Sequence, residues 1–248
     1  MSGILEGRRA LVTGGARGIG EGISRRLAAE GAHVIIANRT LDVAERVAAE
    51  IGGEAVQVDI SDLEQADEVV RAAGKLDVLV NNAGFDDPGW FTDTTPERWH
   101  ALLGVNLLGM FAVTKAALPA MQEARYGRII NIGSEAGRIG SSGNAVYAAT
   151  KGGIISFTKS IARENARFGI TANTLAVGPI ETPLMDQVRA KGELGLKMVA
   201  AMEAGTLLKR LGTPEEVGAL AAFVASEQAS YITGENIGVS GGMGIGSA

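Results

Sequence analysis

The chain has 248 residues, 46% of them apolar and 21% charged, with 35 glycines, no cysteine and a formal net charge of -5. That length suits one large α/β domain spanning residues 1–248, and the glycine excess implies tight turns or close backbone approaches to a ligand. The acidic balance leaves no footprint for nucleic acid or an anionic membrane, and the lack of cysteine excludes disulfides, thiol nucleophiles and thiolate metal sites.

With only His33 and His100, far apart in the chain, neither a metal site nor a Ser-His-Asp triad is expected. No apolar leader segment surrounds Arg8 and Arg9, and no apolar run approaches the roughly 18 residues that a spanning helix needs. A cytoplasmic protein is therefore the expectation.

Arg9-Ala10-Leu11-Val12-Thr13 is a short apolar run broken by Gly14-Gly15-Ala16-Arg17-Gly18-Ile19-Gly20, after which Ile23, Leu27 and Ala28 recur at helical spacing up to Gly31. The order strand, glycine turn, helix brings backbone amides and the positive end of a helix dipole to one point, as a pyrophosphate requires. The G-x-x-x-G-x-G spacing of Gly14, Gly18 and Gly20 differs from the G-x-G-x-x-G fingerprint and taken alone is equally a tight turn. Its place after the first strand favours the dinucleotide.

His33–Asn38 reads as a second, doubly buried strand. At its end, where an acid would bind a ribose 2′-hydroxyl, stand Asn38 and Arg39. A guanidinium suits a 2′-phosphate, and Arg17 adds a second cation, so NADP(H) is favoured. NAD(H) stays possible, because Asn38 can still bond ribose hydroxyls and Arg39 is equally read as a solvated loop residue.

Leu41–Ile51 is helical in period, and Glu54–Asp59 is a third strand. Asp59 is placed either to accept from an adenine amine or to cap the helix starting at Ser61-Asp62. Leu76–Val80 is a fourth strand running into Asn81-Asn82-Ala83-Gly84. Strands alternating with helices at this spacing specify a parallel, doubly wound sheet. A long helical segment runs from Pro96 to Glu123, with Asn106 among leucines and valine; the amide is either a bonded core residue or part of a polar relay.

Arg128–Ser134 reads as a buried strand with Ser134 at its carboxyl end, where open α/β sheets place their ligands. Tyr147 and Lys151 lie four residues apart, about one helical turn, on one face of the helix that follows. An ammonium near a phenol lowers a pKa that otherwise sits at about 10.

Together T-G-G-A-R-G-I-G at Thr13–Gly20, N-N-A-G at Asn81–Gly84, Asn106, Ser134 and Y-A-A-T-K at Tyr147–Lys151 resemble the short-chain dehydrogenase/reductase family, from Leu5 to Met243. The resemblance implies a single-domain Rossmann-type doubly wound parallel sheet of about seven strands with helices on both faces. It also implies an NAD(P)(H)-dependent oxidoreductase interconverting a secondary alcohol and a ketone. In that reading Tyr147 exchanges the proton, Ser134 orients the carbonyl, Lys151 holds the nicotinamide ribose and depresses the tyrosine, and Asn106 holds a water leading to solvent. Cofactor contacts are expected from Gly14, Arg17, Gly18, Ile19, Gly20, Asn38, Arg39, Asp59, Ile60, Asn82, Ala83, Gly84, Gly178, Ile180 and Thr182, besides Tyr147 and Lys151.

One departure is Val177, which stands where the family commonly has proline and puts the rigidity of the Gly178–Thr182 loop in question. Residues 141–147 resemble those of 3-oxoacyl-thioester reductases and of ring-bearing hydroxyacyl-CoA dehydrogenases. A pocket for a small carbonyl or alcohol is expected from Glu135, Asn144, Met185, Met198 and Met202, the last three on a substrate segment at 183–211. Those methionines are equally read as lid packing. A homotetramer follows from the resemblance, through the Pro96–Glu123 and Tyr147–Phe168 helices. The rival class, a dinucleotide-binding sensor without turnover, is opposed by the intact tetrad.

Overall fold

A computed structural model describes residues 3–245. In chain order the elements are β1 (Arg9–Thr13), α1 (Gly18–Ala29), β2 (His33–Asn38), α2 (Leu41–Ile51), β3 (Glu54–Gln57), α3 (Leu63–Ala73) and β4 (Val78–Asn81). There follow α4 (Pro96–Leu103), α5 (Met110–Ala124), β5 (Gly127–Ser134), α6 (Ala136–Ile139), α7 (Ala145–Asn165) and β6 (Ile170–Val177). The chain closes with α8 (Pro183–Arg189), α9 (Glu193–Ala204), α10 (Pro214–Ala225) and β7 (Asn236–Val239).

The seven strands form one sheet in the order β3-β2-β1-β4-β5-β6-β7, all parallel, with Leu11 opposite Ile35 on one side and Leu79 on the other. Side chains alternate across a strand, so each strand feeds two cores. Val12, Val34, Ile36, Val80 and Ile130 pack under α1, α2 and α10, whereas Leu11, Ile35, Leu79 and Ile129 pack under α3, α5 and α7. The strand order reverses between β1 and β4, which opens a crevice at the carboxyl ends of those strands.

Three sequence expectations shift. The third strand stops at Gln57, short of Asp59, because Asp59 turns away to accept from the amide and hydroxyl of Ser61 at 2.9 and 2.6 Å. The fourth strand begins at Val78 and includes Asn81. The Pro96–Glu123 segment is one continuous helical run, but a π-helical turn at Gly104–Gly109 separates α4 from α5 and carries Asn106. That run, Pro96–Ala124, is long and apolar enough by length and composition to cross a membrane, contrary to the sequence expectation; in the fold its Val113, Ala117 and Met121 bury against the sheet.

Val177 lies inside β6, paired with Ser134 and Val239, and the neighbouring Gly178 amide donates to Val239 at 3.0 Å. Pairing with β5 and β7 thus fixes the strand end that a proline would otherwise stiffen. The loop beyond is pinned at Gly212, whose amide donates to Pro179 and whose carbonyl accepts from Glu181.

Candidate active site

At the crevice, the backbone of the glycine loop is held from both sides. The Gly14 amide donates to Ala37 at 2.7 Å, and the Asn82 side-chain amide donates to the carbonyls of Thr13 and Gly14, each at 3.0 Å. Thr13 returns the contact: its hydroxyl accepts from the amides of Asn82 and Ala83 at 3.1 Å. Asn82 therefore shapes the loop through its side chain. Gly20 is obligatory, since a Cβ there would lie 2.1 Å from the Gly14 carbonyl oxygen. Gly18 sits in left-handed backbone at φ 51°, and a Cβ on it would come within 3.3 Å of Thr182. The loop after β6 is thereby brought beside the glycine loop, and the start of α1 stays open above them.

At the edge of this cradle Arg17 and Arg39 are exposed and, among the described residues, make no side-chain hydrogen bond. The Asn38 side chain donates to the Thr40 carbonyl at 2.9 Å. The Asp59 carboxyl is held low, first by the Ser61 bonds and in lesser part by the charge of Arg39. The helix cap proper is Asp62, which accepts from Glu64 and Gln65.

The catalytic candidates converge at the carboxyl end of β5. Ser134 closes that strand, its hydroxyl accepts from the Ala136 amide at 3.1 Å, and it lies close enough to the Tyr147 phenol to favour the phenolate. Lys151, 5% exposed, donates to the Ile132 carbonyl at 2.9 Å, with its Nζ 5.5 Å from the Tyr147 ring centre. Beneath them a buried polar chain locks the strand ends: Asn81 bonds Thr114 and Asn131, Asn131 bonds Thr158, and Thr174 bonds Thr158.

The electrostatics reverse one sequence expectation. Tyr147 is pushed up to about 12, chiefly by burial, with Asp86 adding to the rise and the Ser134 bond opposing it. Lys151 is pushed down to about 8 by burial, which Asp86 partly offsets. Desolvation dominates the phenol, and the influence that opposes it comes from the Ser134 hydroxyl and not from the lysine. The chain's own groups do not bring the tyrosine to neutrality.

The Asn106 side chain is bonded within the protein, as a buried amide requires. It is 2% exposed, its oxygen accepts from the Phe85 amide and its nitrogen donates to the Phe85 carbonyl, both at 3.0 Å, with a further bond to Thr150 at 3.3 Å. The loop after Gly84 is clamped again at Asp87, whose carboxylate takes both ends of the Arg98 guanidinium at 2.5 and 2.7 Å. Between these clamps Asp86 projects beside the tetrad and accepts from Asn144 at 3.1 Å. Asp86 went unread in the sequence; its signal was an acid pair one residue beyond N-N-A-G.

Of the expected pocket residues, Asn144 alone faces the tetrad side, lining a small cavity with Asp87, Phe91, Trp99 and Tyr147. Glu135 is 1% exposed and committed to the exposed Arg138 at 3.2 Å, with Gly238 and Gly244 closing over it, so it is a buried, paired acid and no pocket group. Met185 and Met202 pack with Val199 and Leu211 inside the lid of α8 and α9, whereas Met198 is exposed. Ile180 is buried, with its backbone bridged to Gly212, and Ile60 is buried below the π turn, where its carbonyl meets Gly109.

A glycine cradle at a topological switch point, joined to a serine, tyrosine and lysine at the neighbouring strand end, defines a dinucleotide-dependent oxidoreductase. Comparison with known proteins makes the class specific. Residues 14–244 match the family model described as enoyl-(acyl carrier protein) reductase. The chain is 41% identical over 245 residues to the 3-oxoacyl-(acyl-carrier-protein) reductase FabG of Vibrio cholerae, covering 96% of this chain and 98% of the relative. It is 38% identical over 256 residues to the D-beta-hydroxybutyrate dehydrogenase of Cupriavidus necator, again covering 96% and 98%. The crystal structure of gox2181 superposes with a TM-score of 0.92 at 34% identity over 97% of both chains. The chain belongs to the short-chain dehydrogenase/reductase family, and it is an NAD(P)-dependent oxidoreductase that interconverts a secondary alcohol and a ketone.

Proposed function

We propose that the chain is a single-domain, cytoplasmic, homotetrameric reductase of a 3-oxoacyl thioester or a cyclic ketone that uses NADP(H) in preference to NAD(H). The observation that carries the reading is the Ser134–Tyr147–Lys151 cluster, held at the end of β5 next to the glycine cradle. Two relatives bracket the substrate: one is named for a 3-oxoacyl group on a carrier protein, the other for a free hydroxy acid. The resemblance of residues 141–147 to 3-oxoacyl-thioester reductases and ring-bearing hydroxyacyl-CoA dehydrogenases supports a thioester.

The nicotinamide supplies the hydride when bound, and the residues of the chain handle the oxygen. In reduction the Tyr147 hydroxyl gives its proton to the oxygen that gains charge, and at a pKa of about 12 it carries that proton throughout the neutral range. The Ser134 hydroxyl donates to the same oxygen and holds it within reach of the phenol. Lys151 faces the ring and keeps positive charge near the phenolate left behind. Arg39 and Arg17, both exposed at the cradle's edge, would supply cations to a 2′-phosphate, and Thr182, at the N-cap of α8 beside Gly18, would bind phosphate. The lid of α8 and α9 covers the substrate.

The sensor alternative has no observation in its favour, since every member of the tetrad is in place. The experiment is NADPH oxidation with the acetoacetyl thioester of N-acetylcysteamine. Turnover supports the reading, and no turnover of either this thioester or ethyl acetoacetate refutes it.

A further inference from the structure

The substrate side of the site contains one acid that the proton-transfer machinery does not use. Asp86 lies in a loop fixed on both flanks, with Phe85 bonded at its amide and carbonyl by Asn106, and Asp87 gripped by Arg98. The Gly89 amide, donating to Gly143 at 2.8 Å, ties the far end of the loop to the turn before α7. Its carboxylate is aimed by the Asn144 side chain at 3.1 Å, three residues before Tyr147. A side chain held this way is preorganised, as recognition groups are.

Asp87 has its charge matched by Arg98, whereas among the described residues Asp86 has no ion-pair partner. The charges facing it are Asp87 on its own loop, already paired, and Lys151 from α7. Its field reaches the reacting centre, since it acts on both Tyr147 and Lys151. The Asn144 oxygen, on the other side of the same amide, is buried without a donor. The corner beside the phenol therefore offers acceptors and negative charge, and asks for a donor.

We propose that Asp86, aimed by Asn144, sets the substrate's charge: it admits neutral ketones and thioesters, accepting from an N–H or O–H where the rest of the substrate carries one, and turns away substrates with a carboxylate close to the reacting carbon. This inference rests on the ketone-reductase reading above and names its substrate class. A substrate carboxylate one methylene from the carbonyl would come to the same side of the tetrad as the exposed Asp86, where like charges repel. Rejection of an unwanted partner by an unfavourable charge is a common source of specificity.

The test uses acetoacetate and ethyl acetoacetate, which share the reacting carbonyl and differ in the charged group. In Asp86→Asn, the ratio of kcat/KM for acetoacetate to that for ethyl acetoacetate rises by about tenfold or more over the unsubstituted enzyme. Asp86→Glu, which keeps the charge, holds the ratio within about threefold of the unsubstituted enzyme. A ratio that does not move in Asp86→Asn, or that moves equally in Asp86→Glu, overturns the role of Asp86 while leaving the reductase intact. An unsubstituted enzyme that prefers acetoacetate to its ester also overturns it. An unsubstituted enzyme that reduces neither the ester nor the acetoacetyl thioester refutes the ketone-reductase reading itself, and this inference with it.

Discussion

Asn106 and Phe85 form a closed pair: the asparagine side chain bonds both the amide and the carbonyl of one residue, mimicking a strand partner across 21 positions of sequence. The π turn at Gly104–Gly109 widens the helix where the amide points out of it, a geometry often found at functional sites. Gly84 is part of the same arrangement, for a Cβ there would lie 3.0 Å from the Asn106 oxygen and 3.7 Å from Lys151 Nζ. The pair thus sets where the loop bearing Asp86 leaves β4.

Replacing Asn106 by Ala removes both bonds at once and leaves two Phe85 backbone groups in a partly buried place. The expected loss of stability is about 1–3 kcal/mol, with a fall in kcat as the loop loosens. Chemical denaturation and steady-state kinetics check it, and a stability equal to that of the unsubstituted protein would show that the loop is held elsewhere.

The pH dependence follows from the two shifted groups. Reduction needs Tyr147 protonated, which holds below about 12, and is helped by a charged Lys151, which is lost above about 8. Reduction should therefore be flat through neutrality and decline as pH rises past about 8, while oxidation of the alcohol climbs over the same range. Stability takes the opposite sign. Between about 8 and the ordinary 10.5 of lysine the unfolded chain binds the extra proton, so Lys151 contributes a stability that grows with pH across that window. The slope should vanish in Lys151→Met, which urea titrations at several pH values would reveal.

Cofactor choice turns on the corner at the end of β2. Asn38 supplies no carboxylate to repel a 2′-phosphate, and the exposed Arg39 supplies a cation, a contact worth roughly 1.5–3 kcal/mol or about 10- to 150-fold. NADPH should show the higher kcat/KM, and Asn38→Asp with Arg39→Leu should reverse the order. Preference for NADH in the unsubstituted enzyme would mean that Arg39 serves another purpose.

The helical face carrying Leu103 and Leu108, at 37% and 47% exposure, adjoins α7, whose Phe157 packs at a tilt against Phe111 of α5 with ring centres 4.5 Å apart. Burying that face against a second copy leads to the expected tetramer of about 100 kDa. Light scattering giving a monomer would contradict it.

Local patterns were legible in the sequence. The glycine loop, the four-residue step from Tyr147 to Lys151 and the position of Ser134 at a strand end each depend on neighbours in the chain, and the sheet followed from the alternation of elements. Contacts across the chain were not. Asp86 is defined by Asn144, Glu135 by Gly238 and Gly244 near the end of the chain, and the phenol's pKa by burial, none of which has a periodic signature. Asn106 shows both sides: a buried amide among leucines had to be bonded, but its partner was hidden in a loop.

The central claim is that Tyr147 exchanges the proton with the substrate oxygen. Tyr147→Phe removes one hydroxyl and leaves the ring, so steady-state kinetics paired with NADPH-binding fluorescence separates chemistry from folding and cofactor affinity. The account predicts a fall in kcat of at least about 100-fold with NADPH still bound. Retention of more than about a tenth of the activity would contradict it, because general acid–base catalysis contributes more than that.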